Sequence, residues 1–178
     1  LHCMSGVLTP DSGEVVFDGT NIAALDDAAR SKLRLNHFGF IFQDGQLLPE
    51  LTATENVALP QIMRGTSRKE AHEQADDMLT RLGLGNFTNR FPGQLSGGQA
   101  QRVAIARALA GPPKVVFADE PTAALDQATG HEVMQEIVAV AQKFGVTLVL
   151  VTHDPKIAAW CNRRIEIRDG LIHSEVAA

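Results

Sequence analysis

The chain has 178 residues, of which 44% are hydrophobic and 21% charged, as expected for one globular domain with a single core. Its formal net charge is −5 and no basic stripe offsets it, which argues against a nucleic-acid partner. Cys3 and Cys161 are too few for a disulfide framework and suit a reducing compartment. The sequence shows neither an apolar run as long as a membrane span nor a signal peptide.

The first residue that suggests chemistry follows a short apolar strand. Residues 38–42 predict that strand, and Gln43 closes it. The amide oxygen of Gln43 is suited to bind Mg²⁺ or a water molecule. Taken alone, a glutamine after a strand has no specific meaning.

Residues 44–112 contain no clear strand pattern. Apolar side chains at helical spacing instead predict a helix over 68–82, which the glycines at positions 83 and 85 end. The positions that carry this pattern are Ala71, Ala75, Met78, Leu79 and Leu82. We therefore expect an all-helical segment inserted between two strands of an α/β core.

A serine and two glycines precede a further helical run over 99–110. The segment consists of Leu95, Ser96, Gly97, Gly98 and Gln99. Ser96 is a good N-cap, and the glycines leave the backbone N–H groups of the first turn uncovered. Such a helix start attracts anions, but it has no basic side chain before Arg102, so a second surface is needed to complete a phosphate site. The alternative is an ordinary turn before an amphipathic helix.

Two carboxylates follow the next apolar run, at 115–118. A continuous apolar run bounded by turn residues predicts a strand buried on both faces of a parallel sheet. Ligand sites in such sheets lie at the carboxyl ends of strands. Asp119 is suited to hold Mg²⁺, and Glu120 to orient and deprotonate an attacking water. The alternative is a solvated loop that starts with two acids.

Asp126 lies just ahead of a helix that begins near residue 128 and ends at Gly145. The helical spacing of its apolar residues supports this prediction, and they are Val133, Ile137, Val140, Ala141 and Phe144. The simple role for Asp126 is an N-cap, which is compatible with a further role in a binding site.

A β-branched strand predicted over 146–151 brings His153 to a strand's carboxyl end. Asp154 is expected to be the N-cap of the next helix and Pro155 its first residue. The imidazole of His153 is able to donate a hydrogen bond to a phosphate oxygen. The alternative is an ordinary polar loop residue.

The last pattern predicts a β-hairpin. Residues 165–168 and 171–174 form its strands, and Asp169 and Gly170 form its turn. The strand and helix patterns on either side of the helical segment together indicate an α/β core.

These motifs resemble those of ABC-type ATPases. Residues 95–99 resemble the signature motif of the family, and Gln43 and His153 resemble its Q-loop and H-loop residues. Asp119 and Glu120 resemble the Walker B aspartate and the catalytic glutamate. Residues 122–126 resemble the D-loop, with Asp126 as its acid, although Ala124 stands near the position of a serine or asparagine in the family. The motifs also follow the order of the family.

The resemblance implies the fold and its division. We expect a P-loop NTPase-like α/β fold with a mostly parallel sheet and an inserted helical subdomain. The whole chain, 1–178, is then a single ABC ATPase domain. Its core comprises 1–43 and 113–178, and the helical subdomain comprises 44–112.

The sequence contains no Gly-x-x-x-x-Gly-Lys-Ser/Thr loop. Residues 1–6 resemble the tail of the helix that follows this Walker A loop in the family, which would place Cys3 on that helix. We therefore expect an N-terminally truncated fragment. We also expect these 178 residues alone to bind ATP weakly and to be inactive.

The resemblance implies a homodimer that sandwiches two ATP molecules with Mg²⁺. In each site Glu120 polarises the attacking water and His153 steadies the γ-phosphate. Asp119 and Gln43 serve the metal ion. The nucleotide-binding set comprises Gln43, Leu95, Ser96, Gly97, Gly98, Gln99 and Asp126, of which residues 95–99 come from the opposite subunit.

Residues 42–60 and 94–126 look most like the lipoprotein-release, macrolide-export and cell-division ATPases. The implied function is an ATP-hydrolysing subunit that powers a membrane permease, bound peripherally at the cytoplasmic face of the membrane. The alternative is an ATP-driven regulatory switch that acts on a membrane partner without transport. Soluble repair and translation members are disfavoured, since 44–112 is too short for a coiled coil and only one cassette is present.

Overall fold

A computed structural model describes residues 1–177 as an α/β fold. The strands are β1 (Val16–Phe17), β2 (Thr20–Asn21), β3 (Phe38–Ile41), β4 (Val115–Asp119), β5 (Thr147–Val151), β6 (Arg163–Arg168) and β7 (Leu171–Ala177). The helices are α1 (Asp27–His37), α2 (Ala53–Met63), α3 (Arg68–Arg81), α4 (Gly97–Leu109), α5 (Gln127–Phe144) and α6 (Pro155–Ala158). Short 3-10 turns cover Ile22–Ala24 and Pro92–Gln94.

The centre of the fold is a parallel sheet in the order β3-β4-β5. Ile41 pairs with Ala118, and Ala118 pairs with Leu150, so the three strands end at one edge. β3 and β4 are apolar and largely buried, as a sheet covered on both faces requires. The α/β prediction with a parallel sheet is confirmed, and this register decides where the polar residues that follow each strand lie.

The segment between β3 and β4 contains α2, α3 and α4, and within residues 1–177 it includes no strand. α4 forms the inner layer, since Val103, Ala104, Ile105 and Ala106 are fully buried. Gly39 of β3 allows the close contact between α4 and the sheet, because a Cβ at this position would lie 2.3 Å from the carbonyl oxygen of Ala108. The inserted helical segment is therefore fastened to the sheet by α4.

Several element ends differ from the predicted ones. β3 stops at Ile41, β5 starts at Thr147, and both hairpin strands are longer than predicted, as β6 and β7 show. α4 starts at Gly97, two residues early, because Ser96 caps it. The hairpin turn itself lies where predicted, with Asp169 and Gly170 at φ 49° and 77°.

Cys3 lies in a hydrogen-bonded turn and not within a helix, which corrects the expectation for Cys3 alone. The amide of Val7 donates to the carbonyl of His2 at 2.9 Å, and the amide of Gly6 donates to that of Cys3 at 3.1 Å. Gly6 has φ 66°, so this turn has the hydrogen bonds of a helix C-terminus. Cys3 and Cys161 are both free thiols. None of the helices within residues 1–177 has the length and apolar character to cross a bilayer.

Candidate functional site

Gln43, Asp119, Glu120 and His153 all lie at the carboxyl edge of the parallel sheet. Asp119 is the last residue of β4, and His153 follows β5 by two residues. Gln43 follows β3 by two residues and is exposed. The sheet register thus brings together the two predicted catalytic residues and the two predicted metal ligands at one edge, as in ligand sites of other parallel sheets.

Glu120 is the centre of the hydrogen bonds at this edge. Its backbone N–H donates to the carbonyl of Val151 at 2.9 Å, which ties the end of β4 to the end of β5. Its carboxylate accepts from the hydroxyl of Thr152 at 3.2 Å and from the amide of His153 at 2.9 Å. Its φ is 46°, a left-handed conformation that a non-glycine residue adopts only where its surroundings hold it.

The imidazole of His153 contacts the same carboxylate. Its Nδ1 lies 2.6 Å from Oε1 of Glu120, and the side chain is 82% exposed. Because an ionised carboxylate only accepts hydrogen bonds, Nδ1 carries the hydrogen. The neutral ring then has a bare Nε2, so a hydrogen bond from Nε2 to a phosphate oxygen requires the imidazolium form.

The oxygen donors at the edge suit Mg²⁺ held together with a nucleotide. Within residues 1–177 no three acidic, histidine or cysteine side chains form a metal cluster. Mg²⁺ in phosphate sites takes only one or two protein oxygens and completes its shell with phosphate oxygens and waters. The Asp119 carboxylate and the Gln43 amide fit this donor set.

The tip of α4, residues 95–99, forms a capping box. Ser96 Oγ accepts from the amide of Gln99 at 3.3 Å, and Gln99 Oε1 accepts from the amide of Ser96 at 2.8 Å. Within the described residues the amides of Gly97 and Gly98 have no hydrogen-bond partner. Leu95 packs against the core and is half-buried. The tip therefore presents two unpaired N–H groups at a helix start.

The tip and the sheet edge share no hydrogen bond in the part of the chain that the structure describes. Gly97 and Gly98 lie instead against the start of α5. A Cβ at Gly98 would be 2.8 Å from Cγ2 of Thr129, and one at Gly97 would be 3.7 Å from Cδ2 of Leu125. The five tip residues and the four edge residues are therefore two separate groups within one chain.

Asp126 acts as the N-cap of α5. Its Oδ1 accepts from the amides of Ala128 and Thr129 at 3.1 Å each, and its Oδ2 accepts from the Thr129 hydroxyl at 2.6 Å. The Thr129 hydroxyl is the main reason that the pKa of Asp126 is lowered. The N-cap role named as the simple alternative is present in the structure.

Sequence reasoning did not single out three residues that build this edge. Thr152 donates to Glu120, Gln101 donates to two loop carbonyls, and the guanidinium of Arg107 donates to the carbonyls of Gly45 and Gln46 at 2.7 Å each. Gln101 carried a usable signal, since it is a polar residue on the apolar face of α4. The target of Arg107 lies more than sixty residues away and has no local signal.

Comparisons with known proteins show the family. The family model described as "ABC transporter" matches residues 1–123, more than half of the chain. The ABC transporter ATP-binding protein YtrE of Bacillus subtilis is 41% identical over 97% of the chain and 74% of YtrE. The lipoprotein-releasing system ATP-binding protein LolD of Shewanella frigidimarina is 46% identical over 97% of the chain and 72% of LolD.

A solved structure has the same fold. The dimeric post-hydrolysis state of the ATP-binding cassette MJ0796, bound to ADP and Pi, superposes with a TM-score of 0.89 at 41% identity, over 99% of this chain and 78% of MJ0796. The fold and the family match thus define an ATP-binding cassette with ATP hydrolysis as its activity. The chain belongs to the ABC transporter family, as the ATP-binding component of an ATP-powered membrane transporter of the group that contains LolD and the macrolide export ATP-binding/permease protein MacB.

Proposed function

We propose that this chain drives an export or lipoprotein-release permease from the cytoplasmic face of the membrane. The similarity to LolD over nearly the whole chain supports the release branch. The regulatory-switch alternative shares every residue of the site. The permease encoded beside the ATPase distinguishes the transport function from the switch function. A permease with a large extracytoplasmic domain supports transport or release, and a division-type permease supports the switch.

The single observation that carries the hydrolytic part of the proposal is the Glu120–His153 contact at the end of β4. The Glu120 carboxylate is the general base that polarises the attacking water. His153, held by Nδ1, bridges that carboxylate and the γ-phosphate in its imidazolium form. Asp119 and Gln43 would hold Mg²⁺, which neutralises developing phosphate charge when bound.

The proposed active unit is a homodimer, as MJ0796 is described to be. The triphosphate held at the other copy's sheet edge accepts hydrogen bonds from the unpaired amides of Gly97 and Gly98. The dipole of α4 adds a favourable electrostatic interaction with the negative charge of the triphosphate. Leu95, Ser96 and Gln99 shape this tip, and Asp126 lies beside it. In this arrangement 1–43 and 113–178 form the core and 44–112 the helical subdomain.

Glu120→Gln in the natural full-length protein tests the proposal. Without the base, hydrolysis falls by about 100-fold or more, and the ATP-bound dimer persists because its bridging phosphate stays intact. Gel filtration with ATP and Mg²⁺ should show a stable dimer for Glu120→Gln and a monomer for the wild type after turnover. Glu50→Gln, in an exposed loop, is the charge-matched control and should behave as wild type. A Glu120→Gln protein that stays monomeric, or that hydrolyses ATP at the wild-type rate, would contradict the proposed site.

A further inference from the structure

Gln101 is a buried amide on α4 with two backbone targets. The residue is 3% exposed, and its Nε2 donates to the carbonyl of Pro121 at 2.7 Å and to that of Phe42 at 3.2 Å. Pro121 directly follows Glu120, and Phe42 directly precedes Gln43. One side chain therefore fastens two loops, each adjacent to a residue of the sheet edge.

The bond to Pro121 acts on a constrained segment of backbone. Glu120 has φ 46°, and its own carbonyl accepts from the amide of Ala123 at 3.1 Å. Within the described residues, the Pro121 carbonyl accepts a hydrogen bond from Gln101 and from no other donor. Because a buried carbonyl without a partner is costly, this bond holds the backbone at Pro121, the residue directly after the left-handed Glu120.

The bond to Phe42 acts on the loop after β3. The amide of Gly45 also donates to the Phe42 carbonyl, at 3.0 Å, and this closes a turn around Gln43. A Cβ at Gly45 would lie 3.5 Å from Oε1 of Gln101, so this loop packs directly on the amide. Arg107, further along α4, holds the carbonyls of the same loop.

From these contacts we propose that Gln101 is a positioning residue that sets the placement of Glu120 relative to Gln43. It does so from α4, the helix that Ser96 caps and whose first turn carries Gly97 and Gly98. The inference rests on the proposed roles of Glu120 and Gln43. Gln101 itself touches no reacting atom and acts through the two loops.

Gln101→Met removes the donor at similar volume and tests this inference in the natural full-length protein. The kcat for ATP hydrolysis should fall about 100-fold, as expected for a misplaced base, and the KM for ATP should change by a smaller factor, through the displacement of Gln43. Hydrogen exchange should accelerate at the amides of Glu120, Ala123 and Gly45 and stay unchanged in β6 and β7. Gln135→Met, an exposed amide on α5, is the matched control.

Gln101→Glu supplies a second readout that does not depend on Met being tolerated. An ionised carboxylate cannot donate to either carbonyl, but the protonated acid has one donor. The activity of Gln101→Glu relative to wild type should therefore rise as the pH falls, and Gln101→Met should show no such rise.

Wild-type kcat in folded Gln101→Met, or a pH profile of Gln101→Glu parallel to wild type, would overturn the inference. Glu120→Gln keeps this outcome separate from failure of the proposed site. If Glu120→Gln abolishes hydrolysis while both Gln101 variants stay active, only the positioning role is wrong. If Glu120→Gln stays active, the proposed site is wrong.

Discussion

Gly98 meets two separate requirements at one position. It lies on the tip where a nucleotide would approach the backbone, and it also packs against α5. The Cβ of any other residue here would meet Cγ2 of Thr129 at 2.8 Å, while the Thr129 hydroxyl is bonded to Asp126. Packing alone therefore explains a glycine at this position, whether or not the tip contacts a phosphate.

Gly98→Ala and Thr129→Ser separate the two requirements. Gly98→Ala should lower the free energy of unfolding by about 1–3 kcal/mol, because the added methyl overpacks the contact with Thr129. Adding Thr129→Ser removes Cγ2 of Thr129, the atom that the added methyl group contacts, and keeps the hydroxyl. The free energy of unfolding, measured in urea, should then return to the wild-type value. ATPase activity should stay low in the double variant, since the added methyl group still covers the backbone N–H groups of the tip.

Gly93→Ala, in open space, is the control for this pair and should be neutral. Recovery of both stability and ATPase activity in the double variant would mean that Gly98 serves packing alone.

The polar residues of the sheet edge were predictable from sequence because they follow strands. The apolar runs before Gln43, Asp119 and His153 define parallel strands, and such strands end together. The contact between Glu120 and His153 was not predictable, since it depends on the left-handed backbone at Glu120. Gln101 was missed because its two targets lie 59 and 20 residues away along the chain.

α2 shows how an element can lack the usual sequence pattern. Six of its residues are buried, and three of these are the polar Thr54, Asn56 and Gln61. Pro60 also lies inside the helix. The sequence of α2 therefore has no clear apolar stripe. Its start has a local signal, because Thr52 and Glu55 form a capping box. α3 and α5, with regular apolar spacing, were predicted within a residue or two at each end.

The capping box makes α2 sensitive to pH. The Thr52 backbone N–H, and then its hydroxyl, bond to the Glu55 carboxylate and lower its pKa. The folded pKa is below the unfolded one, so this stabilisation is present above the unfolded pKa and is lost as pH falls through the folded pKa.

Glu55→Gln keeps an acceptor at this position but removes the charge. Its free energy of unfolding should be lower than that of wild type at pH 7, and the difference should be smaller at an acidic pH below the lowered folded pKa of Glu55, where the carboxyl is protonated in both states. Urea unfolding at both pH values measures this, with Glu50→Gln as the control. A difference between wild type and Glu55→Gln that is independent of pH would show that the charge of Glu55 plays no part.

At the scale of the whole molecule, the β6–β7 hairpin stands apart from the core. All its residues are exposed, including the apolar side chains Ile165, Ile167, Leu171, Ile172 and Val176. The hairpin was predictable from its Asp-Gly turn, but its exposure was not, because alternating residues predict one buried face. Exposed apolar strands favour association.

The 178-residue polypeptide should therefore bind a hydrophobic dye and scatter light at high concentration. Ile167→Ser combined with Leu171→Ser should reduce both signals, because it removes apolar surface from the hairpin. Leu48→Ser combined with Met63→Ser, at exposed positions elsewhere, is the matched control and should change them less. Equal dye binding by the two double variants would show that the hairpin is not the main apolar surface to which the dye binds.

The chain has one tryptophan and no tyrosine, and Trp160 lies just after α6, seven residues beyond His153. Its ring is in edge contact with the imidazole of His131, with centroids 5.2 Å apart. The intrinsic fluorescence of this polypeptide therefore comes from a single indole beside the segment that leads out of the sheet edge. Any rearrangement of that segment can be followed by emission from the unlabelled chain, without an introduced fluorophore.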